Sequence, residues 1–412
     1  MYGELQPEPC GRVVLRPFVR QPDGLETVIG LPARGVFLAI SNEALEVLDW
    51  LAAGDTVAAA QARYREKYGD SVDLQEFLID LEERGFLKVL PADQEAVAPP
   101  TSGSLGNVEA GSHFGWISQR FASRVFNRSA LAIYLSVIAA GVGAAIGHPD
   151  LLPGWEILAF HEKILPIACA LLAIDLLGTF VHEMAHLVAA RAHGIGAKLG
   201  IGNRLWILVA ETDLTGIWQL PPRDRYLPLL AGPLVDALTA SLLVLVLYIL
   251  AATAVHSAAA VHAIQSVLLI YILKLVWQFF FFLRTDYYYV LANFFRCKNL
   301  MGDTEVFLNN QFKRLLGRHD TLDQSHIPAL ERRAFLLYSV IWVAGRLAAL
   351  YIFIAISLRL AFHYVILIVD RLREGGGASP YNFFESIVIS AISVLLFAAG
   401  CWLWVRSVLS RR

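Results

Sequence analysis

Residues 164–192 read ILPIACALLAIDLLGTFVHEMAHLVAARA. The run is long and apolar enough to cross a bilayer core as a helix. It nevertheless carries Asp175, His182, Glu183 and His186. Five further apolar segments share the chain with it. Residues 129–147 and 386–405 are free of charge, whereas 227–252, 259–283 and 334–358 hold Asp236, Lys274 and Arg346 respectively. Hydrophobic residues make up 56% of the 412-residue chain and charged ones only 17%, against about 25% charge in globular domains. The reading is an α-helical polytopic membrane protein with about six transmembrane helices. Disorder and a wholly soluble enzyme are both excluded by this composition.

The charge is uneven along the chain. Residues 1–95 hold 9 basic and 17 acidic side chains, and the rest of the chain is slightly basic, within an overall net charge of −2. An acidic, soluble front is joined to an apolar body. The front carries a small α+β pattern. Short strands are expected in RVVLRPFVR, ETVIG and GVFLAI over residues 12–40, then helices starting after Ser41, near residue 56 and near Asp73, then a closing strand in FLKVL. Residues 91–112 are rich in Pro, Gly, Ser and Ala and read as linker. The expected division is 1–92 for the small domain, 93–125 for the linker and 126–412 for the membrane body. A net −8 front does not suit nucleic acid, so no nucleic-acid partner is expected.

The chemistry concentrates in HEMAH, residues 182–186. On a helix, positions i and i+4 face one way, so His182 and His186 can share a metal. Glu183 is offset and can reach a water there as general base. Each ionisable group at membrane depth costs about 2.5–3.5 kcal/mol on the insertion scale. A divalent cation is the simplest compensation, and a polar cluster pairing across helices is the alternative. Zinc hydrolases take three protein ligands and keep one position open. Asp286 in FFFFLRTDYYYVLANFF, at the end of the fourth apolar segment, is the candidate third ligand, because two segments running the same way bring it to the depth of the histidines. Asp236 reads equally as an acceptor for an imidazole N–H or as a buried structural carboxylate.

In these motifs the chain resembles the site-2 protease family of intramembrane zinc metalloproteases. HEMAH matches the family's metal-binding motif, AGPLVD (231–236) its small-residue-plus-proline helix start, and Asp286 its second motif. Tyr287 stands where the family usually has Gly, and Phe281 and Arg284 replace two prolines. The TDYYYVLAN version looks like the peptide-maturation branch. The resemblance implies Zn2+ held by His182, His186 and Asp286, catalysis by Glu183, and substrate positioning by Gln278. It also implies that residues 195–222, with their Gly-punctuated β-type runs, form a sheet at the membrane that can hold substrate extended. The front resembles the PqqD-like peptide-recognition domain, winged-helix-like, in its element order and in FLAISNEALEVLDWLAAGDTVAAA. That implies capture of a ribosomally made precursor peptide, with peptide-export or modification partners. A non-catalytic leader-binding scaffold is the alternative. A di-iron hydroxylase needs several histidine boxes, and this chain has a single HxxxH among eleven histidines.

The positive residues place both termini in the cytoplasm, with lipid as a partner and a bacterial inner membrane as the expected location. The tyrosines 287–289 read as interfacial belt, and residues 303–317 as an amphipathic helix on the membrane.

Overall fold

A computed structural model describes residues 12–154 apart from 25, 71–72 and 91–111, residue 157, and residues 164–409 apart from 254–256, 319, 325–326, 328 and 375–379. Most of the stretch read as linker therefore lies outside the described residues. Its last part is helical from Gln119 onward.

The chain divides into two compact units. The first contains the N-terminal strands and helices, together with residues 190–198 and 213–225. Strands β1 (Arg12–Leu15), β2 (Val19–Asp23), β3 (Glu26–Leu31) and β4 (Val36–Ser41) precede helices α1 (Asn42–Ala52), α2 (Val57–Tyr68) and α3 (Leu74–Glu83), and β5 (Leu87–Leu90) closes the domain. The single strand expected over 12–20 is two strands. Pro17 has no N–H to give a ladder, so the chain leaves one sheet and joins another. β1 pairs antiparallel with β5, and β2, β3 and β4 form a separate antiparallel meander. Pro22 is tolerated because β2 is an edge strand. Ser41, Thr56 and Asp73 each cap a helix by accepting a backbone N–H. The core is Ile29, Val47, Leu48, Leu51, Leu78, Leu81 and Phe86, all buried.

The second unit is mostly helical. Among the described residues, six helices are long and apolar enough to cross a membrane: Gln119–Gly147, Leu165–Ala192, Tyr226–Thr253, Ala258–Trp277, Glu331–Asp370 and Phe383–Leu409. The first is α4 (Gln119–Val125) followed by α5 (Arg128–Gly147), which Asn127 caps. Then come α6 (Ile164–Ala192), strands β6 (Lys198–Arg204) and β7 (Ile207–Asp213), α7 (Tyr226–Thr253), α8 (Ala258–Trp277), α9 (Asp286–Phe294) and α10 (Leu300–Leu315). The chain ends in α11 (Ala329–Ile352), a π-helical turn at Phe353–Leu358, α12 (Arg359–Glu374) and α13 (Pro380–Leu409).

Lipid tails give helices no hydrophobic reason to associate, so small residues set close contacts. Gly141 on α5 lies against the backbone of Ser241 on α7, where a Cβ would meet the Ser241 Cα at 2.7 Å. Ala185 and Ala189 on α6 pack with Ala231 on α7. β6 and β7 form a two-stranded sheet joined by Leu205 and Trp206 alone, and a two-residue connection makes them an antiparallel hairpin.

The fourth apolar segment departs from expectation. Helix is expected to 283, yet α8 stops at Trp277 and α9 starts at Asp286. The four phenylalanines carry no Gly or Pro signal for the break. Arg284 takes the left-handed region with φ 54°. Side chains supply partners to the interrupted backbone, as an apolar surrounding demands. The Thr285 hydroxyl donates to the Gln278 carbonyl at 2.7 Å, the Gln278 side-chain carbonyl accepts the Asp286 N–H at 3.1 Å, and the Tyr338 hydroxyl donates to the Phe281 carbonyl at 2.9 Å.

Tyr288 also departs from expectation. It is buried rather than part of an interfacial belt. Its hydroxyl accepts the Met301 N–H at 3.0 Å, and its ring lies against Tyr338. This packing ties α9 to α10 and α11.

Candidate metal centre

The candidate centre lies within the second unit, built by α6, α7, α9 and β7. Helix α6 brings His182 and His186 together by their i, i+4 spacing. Their Nε2 atoms are 3.2 Å apart. The first residue of α9 supplies the third group. Asp286 Oδ2 is 3.0 Å from His182 Nε2 and 3.3 Å from His186 Nε2. One ligand atom from each of these three residues falls in a group no wider than 4.8 Å. Both imidazoles are buried, and the Asp286 side chain keeps 24% exposure, which leaves one side of the cluster open.

Helix α7 orients both rings. His182 Nδ1 is 2.7 Å from Asp236 Oδ2, and His186 Nδ1 is 2.7 Å from the Pro228 carbonyl. Asp236 is fully buried and lies within hydrogen-bond distance of His182 Nδ1, so it has the features of both of its sequence readings. Pro233 lies within α7 and has no N–H to return to Leu229, so the first turns of α7 hold an incomplete ladder. Gly232 sits between the two acceptors. A Cβ there would lie 2.6 Å from His182 Cδ2 and closer still to both Nε2 atoms. The α7 backbone therefore forms the closed wall of the site, and no side chain fits on it.

Glu183 meets the hairpin. It is buried, and the Thr212 hydroxyl on β7 donates to its Oε2 at 2.7 Å while lying 3.0 Å from its backbone carbonyl. Thr212 carries no motif, and the only sequence signal for it is its place in a β-type run after HEMAH. Gln278 is buried, with its side-chain carbonyl on the Asp286 N–H. It thus fixes the residue that offers the third ligand group.

The donor set decides whether these residues suit a cation. The Pro228 carbonyl can only accept, so His186 carries its proton on Nδ1. The Asp236 carboxylate likewise holds the His182 proton on Nδ1. In the neutral rings both Nε2 atoms then present lone pairs to the same point as the Asp286 carboxylate. The three side chains thus converge on one point with a surplus of lone pairs, which a divalent cation balances in one step and protons on the imidazoles balance otherwise. Two imidazoles and one carboxylate suit zinc or a similar borderline divalent ion.

Lys274 and Arg346 each have an acidic neighbour. Lys274 Nζ lies 3.1 Å from Asp175 Oδ1 and donates to Thr179 Oγ1 at 2.8 Å, so Lys274 neutralises Asp175. Arg346 lies over the Trp342 ring and 3.8 Å from Glu305.

No protein-family model matches the chain, and no curated protein or solved structure matches it.

Proposed function

We propose that the protein is an intramembrane zinc endopeptidase of the site-2 protease kind. The observation that carries this reading is the convergence of His182 Nε2, His186 Nε2 and Asp286 Oδ2 on one point, with Glu183, next to His182 in the chain, buried and outside that group. A zinc ion held by those three residues would supply Lewis acidity, polarising the scissile carbonyl and acidifying the attacking water. Glu183 takes the proton of that water and returns it to the leaving amine. Asp236 and Pro228 orient both rings and hold each neutral imidazole as the Nδ1–H tautomer, so that Nε2 is the nitrogen turned to the metal. The Gly232 wall closes one side, so a peptide approaches from the side of Glu183 and β7.

A helical peptide hides its carbonyls in its own hydrogen bonds. The hairpin next to Glu183 offers a strand edge on which a substrate can be held extended. By the same reading, the small α+β region is a PqqD-like, winged-helix-like domain that captures a ribosomally made precursor peptide and raises its concentration at the site. The basic loops favour cytoplasmic termini in a bacterial inner membrane.

The test uses the purified full chain and a proteome-derived peptide library, with new peptide termini read by mass spectrometry. Wild type is expected to bind about one zinc per chain and to generate new termini. Glu183→Ala is expected to keep the zinc and generate none. Cleavage by Glu183→Ala, or wild type that binds no zinc, overturns the proposal.

A further inference from the structure

The hairpin reaches well beyond Glu183. Thr212 lies near the end of β7, and the tip at Leu205 and Trp206 is six residues away, about 20 Å along an extended strand. That tip is not free. The Trp206 ring lies 4.7 Å from the Phe353 ring and 6.0 Å from the Trp404 ring, centroid to centroid. Phe353 stacks in turn on Phe397 at 5.9 Å. Beneath the ring, the Trp206 backbone occupies a notch on α13 that exists only because residue 400 is glycine. A Cβ at Gly400 would lie 2.8 Å from the Trp206 carbonyl carbon and closer to its oxygen. The notch is opposite the start of the π-helical turn, a local rewinding that recurs at functional places in helices.

At the other end, the Thr212 hydroxyl meets Glu183 at its carboxylate and at its backbone carbonyl. A Thr212 hydroxyl 2.7 Å from Oε2 selects one orientation of the Glu183 carboxylate. Charge-assisted bonds of this kind are the strong ones. Between the two ends, Arg204 and Glu211 pair across the strands at 2.8 Å, which stiffens the arm.

We propose that Thr212 is a positioning residue for Glu183, and that the hairpin is an arm held from its far end by the Gly400 notch, so that the packing of α13 sets the aim of the general base. This deepens the peptidase reading and rests on it. Glu183 does the chemistry, and Thr212 acts only through it.

The test compares variants of the full chain on the best-cleaved library peptide, with zinc content and amide hydrogen exchange measured in parallel. Thr212→Val is expected to lower kcat roughly tenfold or more, consistent with the loss of a hydrogen bond to a charged group. KM and zinc content should stay within about twofold of wild type, and Thr212→Ser should restore kcat. Gly400→Val is expected to reproduce that kcat loss from about 20 Å away and to lower amide protection over residues 207–213. The double variant should be no worse than either single one. If Gly400→Val does not fold, Trp206→Gly must give the same kcat loss with zinc retained. Unchanged kcat in Thr212→Val, unchanged kcat in both tip variants, or full additivity overturns the inference. Wild type that cleaves while Thr212→Val cleaves equally defeats this inference alone. Wild type that shows no zinc-dependent cleavage defeats the peptidase reading beneath it.

Discussion

Replacing Gly232 with alanine tests the geometry of the centre most directly. The added methyl would stand 2.6 Å from His182 Cδ2, against an ordinary contact of 3.4 Å or more, and nearer still to both Nε2 atoms. Something must move by about an ångström, and the structure offers no free direction. The rings cannot swing away, because Asp236 and the Pro228 carbonyl hold them at 2.7 Å each. Helix α7 cannot retreat, because both of those acceptors ride on α7 and retreat lengthens both bonds together. Losing one such orienting partner typically weakens metal binding 10–100-fold. Losing both predicts a zinc affinity lower by about 10²–10⁴, or roughly 2.8–5.6 kcal/mol. Helix propensity opposes this loss, since Gly to Ala favours a helix by about 0.5–1 kcal/mol. The assay is competition for zinc against a fluorescent chelator. Gly143→Ala on α5 serves as control, because a Cβ there meets nothing within 4 Å. A Gly232→Ala protein that binds zinc within threefold of wild type would refute the placement of α7 against the imidazoles.

Two further predictions concern the first unit. Arg225 Nη1 and Asp23 Oδ2 form an ion pair at 2.9 Å with both side chains only 2% exposed, and the guanidinium also bonds the Leu220 carbonyl and lies over Trp218. Asp23→Ala strands a buried cation and should cost about 3–5 kcal/mol, read as lost amide protection over β2 and β3, whereas Asp23→Leu with Arg225→Met should recover most of it. Burial, together with a hydrogen bond to Glu43, pushes the Tyr64 phenol up to about 12 from 10.0. A raised phenol pKa stabilises the fold fully below the unfolded value and loses that contribution as pH rises through the folded one. The Tyr64→Phe difference in ultraviolet phenolate absorbance should therefore have its midpoint near pH 12, and a midpoint near 10 would contradict the burial.

Much of this protein was legible in one dimension. Bilayer-length apolar runs identify the spans, because a helix in lipid must satisfy its own backbone and so needs an unbroken stretch of such residues. The four-residue spacing of His182 and His186 places both on one helix face without reference to any neighbour. The caps of α1 to α3 are equally local, each a Ser, Thr or Asp just ahead of an apolar periodicity. These features depend on residues within a few positions of each other, which is why the sequence by itself determined them. The rest depends on contacts between distant segments. The break after Trp277 has no local breaker and exists because Thr285, Gln278 and Tyr338 together satisfy the freed backbone. Sequence left Asp236 between two roles, and only the approach of α7 to α6 brings it to His182. Thr212 carries only its place in a β-type run, and Gly400 carries no motif. Their meaning lies in what the tertiary fold sets against them, a carboxylate in one case and the Trp206 backbone in the other.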